Sequence, residues 1–478
     1  MSFKTFKIFG MILFIIIFFI NALPGYAQTG GPYDLYLPIV MKNYPTYPIF
    51  GVEISQFSSS VLQRAEEANN YWVRHNGLLW STLQPSQGEE INWDLVASLE
   101  ANLIDASARG MEVILIVRST PTWAQRYPGY YCGPVKQENF GDFANFMSAV
   151  VQRYSQPPYN VKYYEIGNEP DIAYSLMAGN PTSVYGCWGN VNIEYYDGGY
   201  YADMLKVVYP AIKSANPQAQ VVLGGLLLDC DPRNVATGYC DSETKTLAPK
   251  FFEGILRNGG GNYLDVISFH GYPQYLVGIN PIYSEQNFYS WRTAGGVVAG
   301  KLDFINSIMN QYGVNKPIFH TEGALILPTF SSLPSPEFEQ AKADYVVWLY
   351  ARNWSKGIKV TNWFTFNGPG YRQSGILDST QTPRPAYYAF QFMANTLSKA
   401  EYVGPVSISE SNIVGYEFST TTKNYWILFS VDQSSTIEHL FALPAGVNAV
   451  YDSMGAIVDP DLSGNIDVTR PKYIEFLK

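Results

Sequence analysis

From Pro48 to about residue 400 the sequence repeats one rhythm: a short apolar run rich in β-branched residues, then a longer amphipathic segment. The runs predict strands near Ile49–Ser55, Tyr71–Asn76, Glu112–Val117, Val161–Gly167, Val221–Leu227, Asp265–His270, Pro317–Thr321 and Lys359–Phe366. Helical periodicity follows most of them, most clearly over Trp93–Ala108, Phe140–Tyr154, Tyr200–Ser214, Val298–Tyr312, Glu337–Asn353 and Pro385–Leu397. Parallel strands need crossover helices, and most of these runs are apolar at nearly every position, as strands covered on both faces are. Eight such units predict a closed (β/α)8 barrel of the TIM type, an α/β fold, rather than an open sheet.

After Ala400 the period changes. Val406–Phe418, Tyr425–Val431, Thr436–Leu443, Ala449–Tyr451 and Tyr473–Leu477 read as strands joined by turns, which predicts a small C-terminal β-sandwich over 401–478. No low-complexity linker precedes it, so it is expected to pack on the barrel (48–400) as a support. At the other end, Met1–Ala27 reads as a signal peptide. Lys4 and Lys7 precede the uncharged run Ile8–Ile20, and Gly25-Tyr26-Ala27 supplies small residues for cleavage. The alternative is a retained N-terminal anchor. Residues 28–47, rich in Pro and Tyr, read as a linker or leading strand. A secreted protein without a membrane span after cleavage is expected.

Composition narrows the function. With 47% hydrophobic and 15% charged residues the chain is globular, and a net charge of −10 without a basic stripe argues against nucleic acid as partner. Aromatics reach 15%, including 37 Tyr and 10 Trp, a surplus that suits sugar binding although most of these rings are expected in the core. In an exported chain the four cysteines suggest disulfides. Cys230 and Cys240 close a short loop and could pair, leaving Cys132 with Cys187; other pairings are open to the spacing, and free thiols are the alternative.

Barrel enzymes carry their reactive groups at the C-terminal ends of the strands. Three ends stand out: Tyr163-Tyr164-Glu165-Ile166-Gly167-Asn168-Glu169-Pro170-Asp171 on the fourth strand, Ser268-Phe269-His270-Gly271-Tyr272 on the sixth, and Ile318-Phe319-His320-Thr321-Glu322-Gly323 on the seventh. Strands four and seven face each other across an eight-stranded barrel, so Glu169 and Glu322 can hold a sugar between them. Two carboxyls about 5–5.5 Å apart are what a retaining glycosidase needs.

Asn168-Glu169-Pro170 and Thr321-Glu322-Gly323, at these strand positions, resemble the clan A glycoside hydrolases, which include families 5, 39, 51 and 79. Trp80-Ser81-Thr82-Leu83-Gln84-Pro85 with Gly88 and Trp93-Asp94, and Gly375-Ile376-Leu377-Asp378 through Arg384-Pro385-Ala386-Tyr387-Tyr388, are similar to further segments of that group. Gln84 stands where an acid is common, and the spellings match no single family. The resemblance spans about 48–400. It implies a retaining hydrolase of β-glycosidic bonds in poly- or oligosaccharides, with Glu169 as general acid/base, Glu322 as nucleophile and Asn168 on the sugar 2-hydroxyl.

The remaining site residues rest on strand placement together with the resemblance. Strict strand alternation cannot turn both Asn168 and Glu169 inward, so the strand end must leave regular geometry. Arg74, ending strand two, is placed to hold Glu322 ionised; the alternative is an outer ion pair. His270 and Tyr272 share a side of strand six. The resemblance implies that a Tyr or His here touches the nucleophile; Tyr272 is favoured for that contact and His270 for sugar binding, with a structural histidine as the other reading. Trp363 on strand eight resembles the tryptophan floor under the cleaved sugar, against which stands a core Trp. Trp123, Trp188 and Trp291 in long loops read as stacking platforms or loop anchors, and His320 as structural, pointing into the layer beneath the site. The four histidines are scattered and no phosphate-binding glycine loop follows a strand, so neither metal nor cofactor is implied. The competing functions are transglycosylation through the same intermediate and a non-catalytic sugar-binding barrel.

Overall fold

The computed structural model of this chain describes residues 48–478 apart from 179, 181, 182, 184, 185 and 234–247, so the N-terminal segment and Cys240 lie outside the described residues. Eight parallel strands form the barrel: β1 (Phe50–Glu53), β2 (Trp72–Leu79), β3 (Glu112–Arg118), β4 (Tyr163–Ile166), β5 (Gln220–Leu223), β6 (Ile267–Gly271), β7 (Ile318–Gly323) and β8 (Val360–Trp363). They pair in the order β5-β4-β3-β2-β1-β8-β7-β6, and bridges Val222–Val266 and Leu226–Phe269 close β5 onto β6. One principal helix follows each strand: α1 (Ser59–Glu67), α2 (Ala97–Ala108), α3 (Phe140–Tyr154), α4 (Gly198–Ala215), α5 (Lys250–Arg257), α6 (Ala299–Gln311), α7 (Pro336–Ser355) and α8 (Pro385–Leu397). Residue chemistry marks their starts. Pro336 opens α7 behind Ser335, whose hydroxyl accepts the Phe338 N–H at 3.2 Å, and Pro385 opens α8. Sequence periodicity missed α1 and α5. Each is short, with buried stripes of only Val61, Leu62 and Ala65, and of Phe251, Phe252, Ile255 and Leu256 among its larger side chains.

The inner wall changes character along each strand. Trp72, Ile114, Tyr163, Val222, Val266, Phe319 and Val360 form an apolar plug at one level. Two residues further on, the same inward register carries Arg74, Glu165 and Ser268, all fully buried. The period of two therefore lifts the wall from an apolar floor into a polar mouth.

The C-terminal part is a five-stranded antiparallel sheet, order β13-β15-β11-β10-β9, and a two-stranded one, β12-β14, with strands β9 (Glu401–Pro405), β10 (Ile413–Ser419), β11 (Lys423–Ser430), β12 (Leu440–Ala442), β13 (Val447–Tyr451), β14 (Asn465–Asp467) and β15 (Lys472–Leu477). Ile413, Leu428, Phe441, Val450, Ile466, Val468 and Ile474 fill the sandwich between them. It belongs to the same compact unit as the barrel. Trp348 and Trp354 of α7 meet Phe429 and Phe418 with ring centroids 5.2 Å apart in each pair, and Asp344 accepts from Ser453 at 2.7 Å and Arg470 at 2.9 Å. Among the described residues no helix is long and apolar enough to cross a membrane.

Candidate active site

Strand β4 stops at Ile166, and the next four residues leave strand geometry through two left-handed positions, Gly167 (φ 77°) and Glu169 (φ 49°). Those turns carry both Asn168 and Glu169 into the mouth, which alternation alone forbids. For Glu169 the left-handed backbone is costly, as it is for any residue with a Cβ. Its N–H donates to the Gly225 carbonyl at 3.0 Å, which holds the turn. On β7 the ladder pairs Phe269 with His320 and then His270 with Glu322, so Thr321 is an extra residue. This bulge re-aims Glu322 inward, where strict alternation from Phe319 would have sent it out.

The two glutamates then meet. Glu169 Oε1 lies 2.8 Å from His270 Nδ1, which is 3.5 Å from Glu322 Oε2, and one oxygen of each glutamate lies within 4.8 Å of the other. Glu322 Oε1 accepts from Arg74 Nη1 at 2.5 Å, and Oε2 accepts from the Tyr272 hydroxyl. Arg74 is fully buried and grips Glu165 through two parallel bonds, 2.8 and 2.9 Å, while donating also to Glu53 and, at 2.6 Å, to Asn168 Oδ1. Such forked, charge-assisted contacts fix both angle and distance.

Environment separates the carboxyls. Burial pushes Glu169 well above the usual carboxylate range, and the charges of Glu322 and Asp171 push the same way. Burial also raises Glu322, but the Arg74 charge and the hydrogen bonds from Tyr272 and Arg74 oppose it. Both carboxyls are thus raised, Glu169 well above the usual range, while Glu322 has the Arg74 charge and two hydrogen-bond donors favouring its anion. Burial, aided by the Arg74 charge, holds His270 well below its ordinary value, so the ring is neutral. Burial lifts Glu53 to about 8 despite Arg74. Behind the site, Lys301 of α6 donates to the carbonyls of Leu227 (2.6 Å) and His270 (2.8 Å), and Asp171 accepts the N–H groups of Leu227 (2.9 Å) and Leu228 (2.8 Å). These bonds lash the ends of β4, β5 and β6 together.

Arg74, Asn168, Glu169, His270, Tyr272 and Glu322 are therefore gathered in one place. Trp363 is not. Val360 and Asn362 take the inward register of β8, so Trp363 turns out toward α7, fully buried, its ring 6.2 Å from Tyr345 and its N–H on the Ser374 carbonyl at 2.8 Å. Phe364 lies against Tyr272 instead, ring centroids 6.0 Å apart. Trp123 is a loop anchor, edge-on to Trp80 at 5.2 Å with its N–H on the Gln84 carbonyl at 3.2 Å. Trp188 packs on Tyr201 at 5.1 Å, and the buried Trp291 donates to Leu228 O at 3.0 Å. His320 points to the helix layer, not beneath the site: its Nδ1 is 2.9 Å from Asn353 Nδ2 of α7. Sequence reasoning missed Glu53, Glu165 and Gly225. The first two were legible as lone acids in apolar runs on the inward register. Gly225 was not, because only the fold brings the His270 ring over it; a Cβ there would sit 2.0 Å from Nε2.

Glu169, His270 and Glu322 have the donor types of a metal seat. Both Glu322 oxygens are already bonded, one of them to a buried guanidinium that repels a cation, so the cluster fits a proton-sharing carboxyl pair better. Cys132 and Cys187 are joined (S–S 2.15 Å), tying the loop after β3 to the loop after β4. The segment around Cys187 backs the turn at Glu169: Trp188 N–H donates to Pro170 O at 3.0 Å and Gly189 N–H to Ile172 O at 2.9 Å. Cys230 is also disulfide-bonded.

No protein-family model matches the chain, and no curated protein does. Solved structures do. A family 39 glycoside hydrolase from the gut symbiont Bacteroides cellulosilyticus WH2 superposes with TM-score 0.65 at 16% identity, covering 91% of this chain and 81% of that one. This chain has the fold of the clan A glycoside hydrolases. A family 30 endoxylanase from Clostridium papyrosolvens C71 (TM-score 0.56, 12% identity) and an α-L-arabinofuranosidase from Thermotoga maritima (0.53, 13%) each match over 91% of this chain and 97% of theirs.

Proposed function

We propose that this protein is a retaining glycoside hydrolase that cleaves β-glycosidic bonds in poly- or oligosaccharides through a glycosyl-enzyme intermediate. The observation that carries the reading is the buried pair Glu169 and Glu322, within 4.8 Å of each other and in opposed environments. In the first step a Glu322 oxygen bonds to the anomeric carbon as the bond to the leaving oxygen breaks, and Glu169 gives that oxygen its proton. In the second, Glu169 takes a proton from water, the water oxygen bonds to the anomeric carbon, and Glu322 leaves as carboxylate. Arg74 and Tyr272 each bond a different oxygen of Glu322 and together hold the carboxylate in position, and Asn168, steadied by Arg74, is placed for the 2-hydroxyl. The fold shared with glycoside hydrolases of families 39 and 30 supports the class. Export is part of the reading, supported by the N-terminal segment and the Cys132–Cys187 bridge.

The test is a panel of aryl β-glycosides followed by trapping with a 2-deoxy-2-fluoro analogue of whichever is cleaved. Mass spectrometry should find the sugar on the peptide containing Glu322. An adduct elsewhere, or α-glycosides cleaved in place of β, would overturn the assignment.

A further inference from the structure

One side of the mouth carries an aromatic row that the chemistry above does not use. Tyr272, whose hydroxyl serves Glu322, meets Tyr371 with ring centroids 5.7 Å apart, and Tyr371 meets Phe330 at 5.2 Å. The three rings come from different loops, after β6, β8 and β7 respectively, and Phe330 is 72% exposed. The scaffold behind them is elaborate for a ring that buries so little of itself. Arg372 lies 5.2 Å from the centroids of both Phe330 and Tyr371, donates through Nη1 to Pro328 O at 2.9 Å, and accepts from Leu327 N–H at 3.0 Å. Arg372 (φ 48°) and Gln373 (φ 66°) are both left-handed, a conformation that costs energy without glycine. Strained backbone thus carries Arg372 against both outer rings of a row whose inner end, Tyr272, is bonded to Glu322, and strain of this kind clusters at ligand clamps.

We propose that Tyr371 and Phe330 form a subsite for a further sugar unit of a pyranose chain, so that the enzyme acts on oligosaccharides in preference to single-sugar glycosides. Flat rings suit the apolar faces of pyranoses, and the row is continuous with the reaction centre through Tyr272. The proposal rests on the catalytic reading of Glu322, since that fixes where the cleaved sugar lies.

The experiment compares wild type, Phe330→Ala and Phe330→Trp on p-nitrophenyl β-xyloside and β-glucoside and on xylo- and cello-oligosaccharides of two to five units. In the wild type kcat/KM should rise with chain length. In Phe330→Ala the ratio of kcat/KM on the best oligosaccharide to that on the aryl glycoside should fall about tenfold, mainly through KM, the size of one lost aromatic contact. Phe330→Trp should restore it. Ratios equal in wild type and Phe330→Ala would overturn the subsite and leave the glycosidase reading standing. If the wild type cleaves none of these, calorimetric titration of the same oligosaccharides decides the subsite by itself, and the catalytic reading is decided separately by the trapping experiment. Binding about tenfold weaker in Phe330→Ala supports it; equal or absent binding overturns it.

Discussion

Glu169 and Glu322 are the same residue type, both buried, and differ in what touches them. Glu322 has Arg74 and Tyr272, whereas Glu169 has His270 held neutral. The pH profile should show both. Activity falls in acid as Glu322 takes up a proton, and falls again in alkali as Glu169 loses one, at a pH well above the ordinary carboxylate range. In Glu169→Gln the alkaline limb of kcat/KM on an activated aryl glycoside should vanish, while kcat drops about 10²–10⁴-fold because no base assists the second step. An alkaline limb that persists in the variant would take the proton away from Glu169. Glu53 makes a second residue-level prediction, on stability. Its folded pKa of about 8 lies above its ordinary value of 4.5. Between these values the folded state holds a proton that the unfolded state has released, so stability declines as pH rises from about 4.5 to about 8. Glu53→Gln keeps an acceptor for Arg74 and cannot ionise, so thermal melts from pH 5 to pH 8 should show a shallower decline than wild type. An unchanged slope would place the proton elsewhere.

At the scale of elements, the ends of β4, β5 and β6 act as one piece. Gly225 shows how tightly they fit: its N–H donates to Glu165 at 2.8 Å, its carbonyl accepts from Glu169 at 3.0 Å, and its α-carbon lies under the His270 ring. In Gly225→Ala the added carbon meets Nε2 at 2.0 Å, so the imidazole must move. The expected outcome is a loss of about 1–3 kcal/mol in denaturant unfolding, with a drop in kcat larger than that in affinity. Wild-type activity in that variant would mean that His270 has room to shift without cost. The Cys132–Cys187 bridge works on the same turn from the other side. Replacing both cysteines by serine should cost about 2–4 kcal/mol of stability and slow turnover, because the strand of chain behind Pro170 loses its anchor. Turnover that stays intact while stability falls would limit the bridge to a structural part.

At the scale of the molecule, the β-domain completes the barrel surface. Trp348 is 3% exposed with Phe429 and Tyr416 packed on it, and Asp344, 8% exposed, accepts from Arg470 and Ser453. A chain ending at Ala400 would bare that apolar face to water, which is strongly destabilising. It should express as aggregate or melt without a cooperative transition. A soluble monomer with the wild-type melting temperature would show the barrel to be self-sufficient.

What could be read in the chain by itself was whatever depends on local period and residue type. The eight apolar runs, the change of rhythm after Ala400 and the two acids at strand ends four and seven all belong there, because strand and helix periods are properties of neighbouring residues. Departures from period belonged to the tertiary structure. The left-handed turn at Glu169 and the extra residue at Thr321 decide that both glutamates face inward, and each is stabilised by a partner distant in sequence. Trp363 was misplaced for the same reason: motif position suggested the floor of the site, whereas the register of β8 sent the ring outward and put Phe364 beside Tyr272. The Arg74 network with Glu53, Glu165 and Glu322 likewise exists only once four strands are brought round one axis, since no local rule makes a charge in β2 answer to acids in β1, β4 and β7.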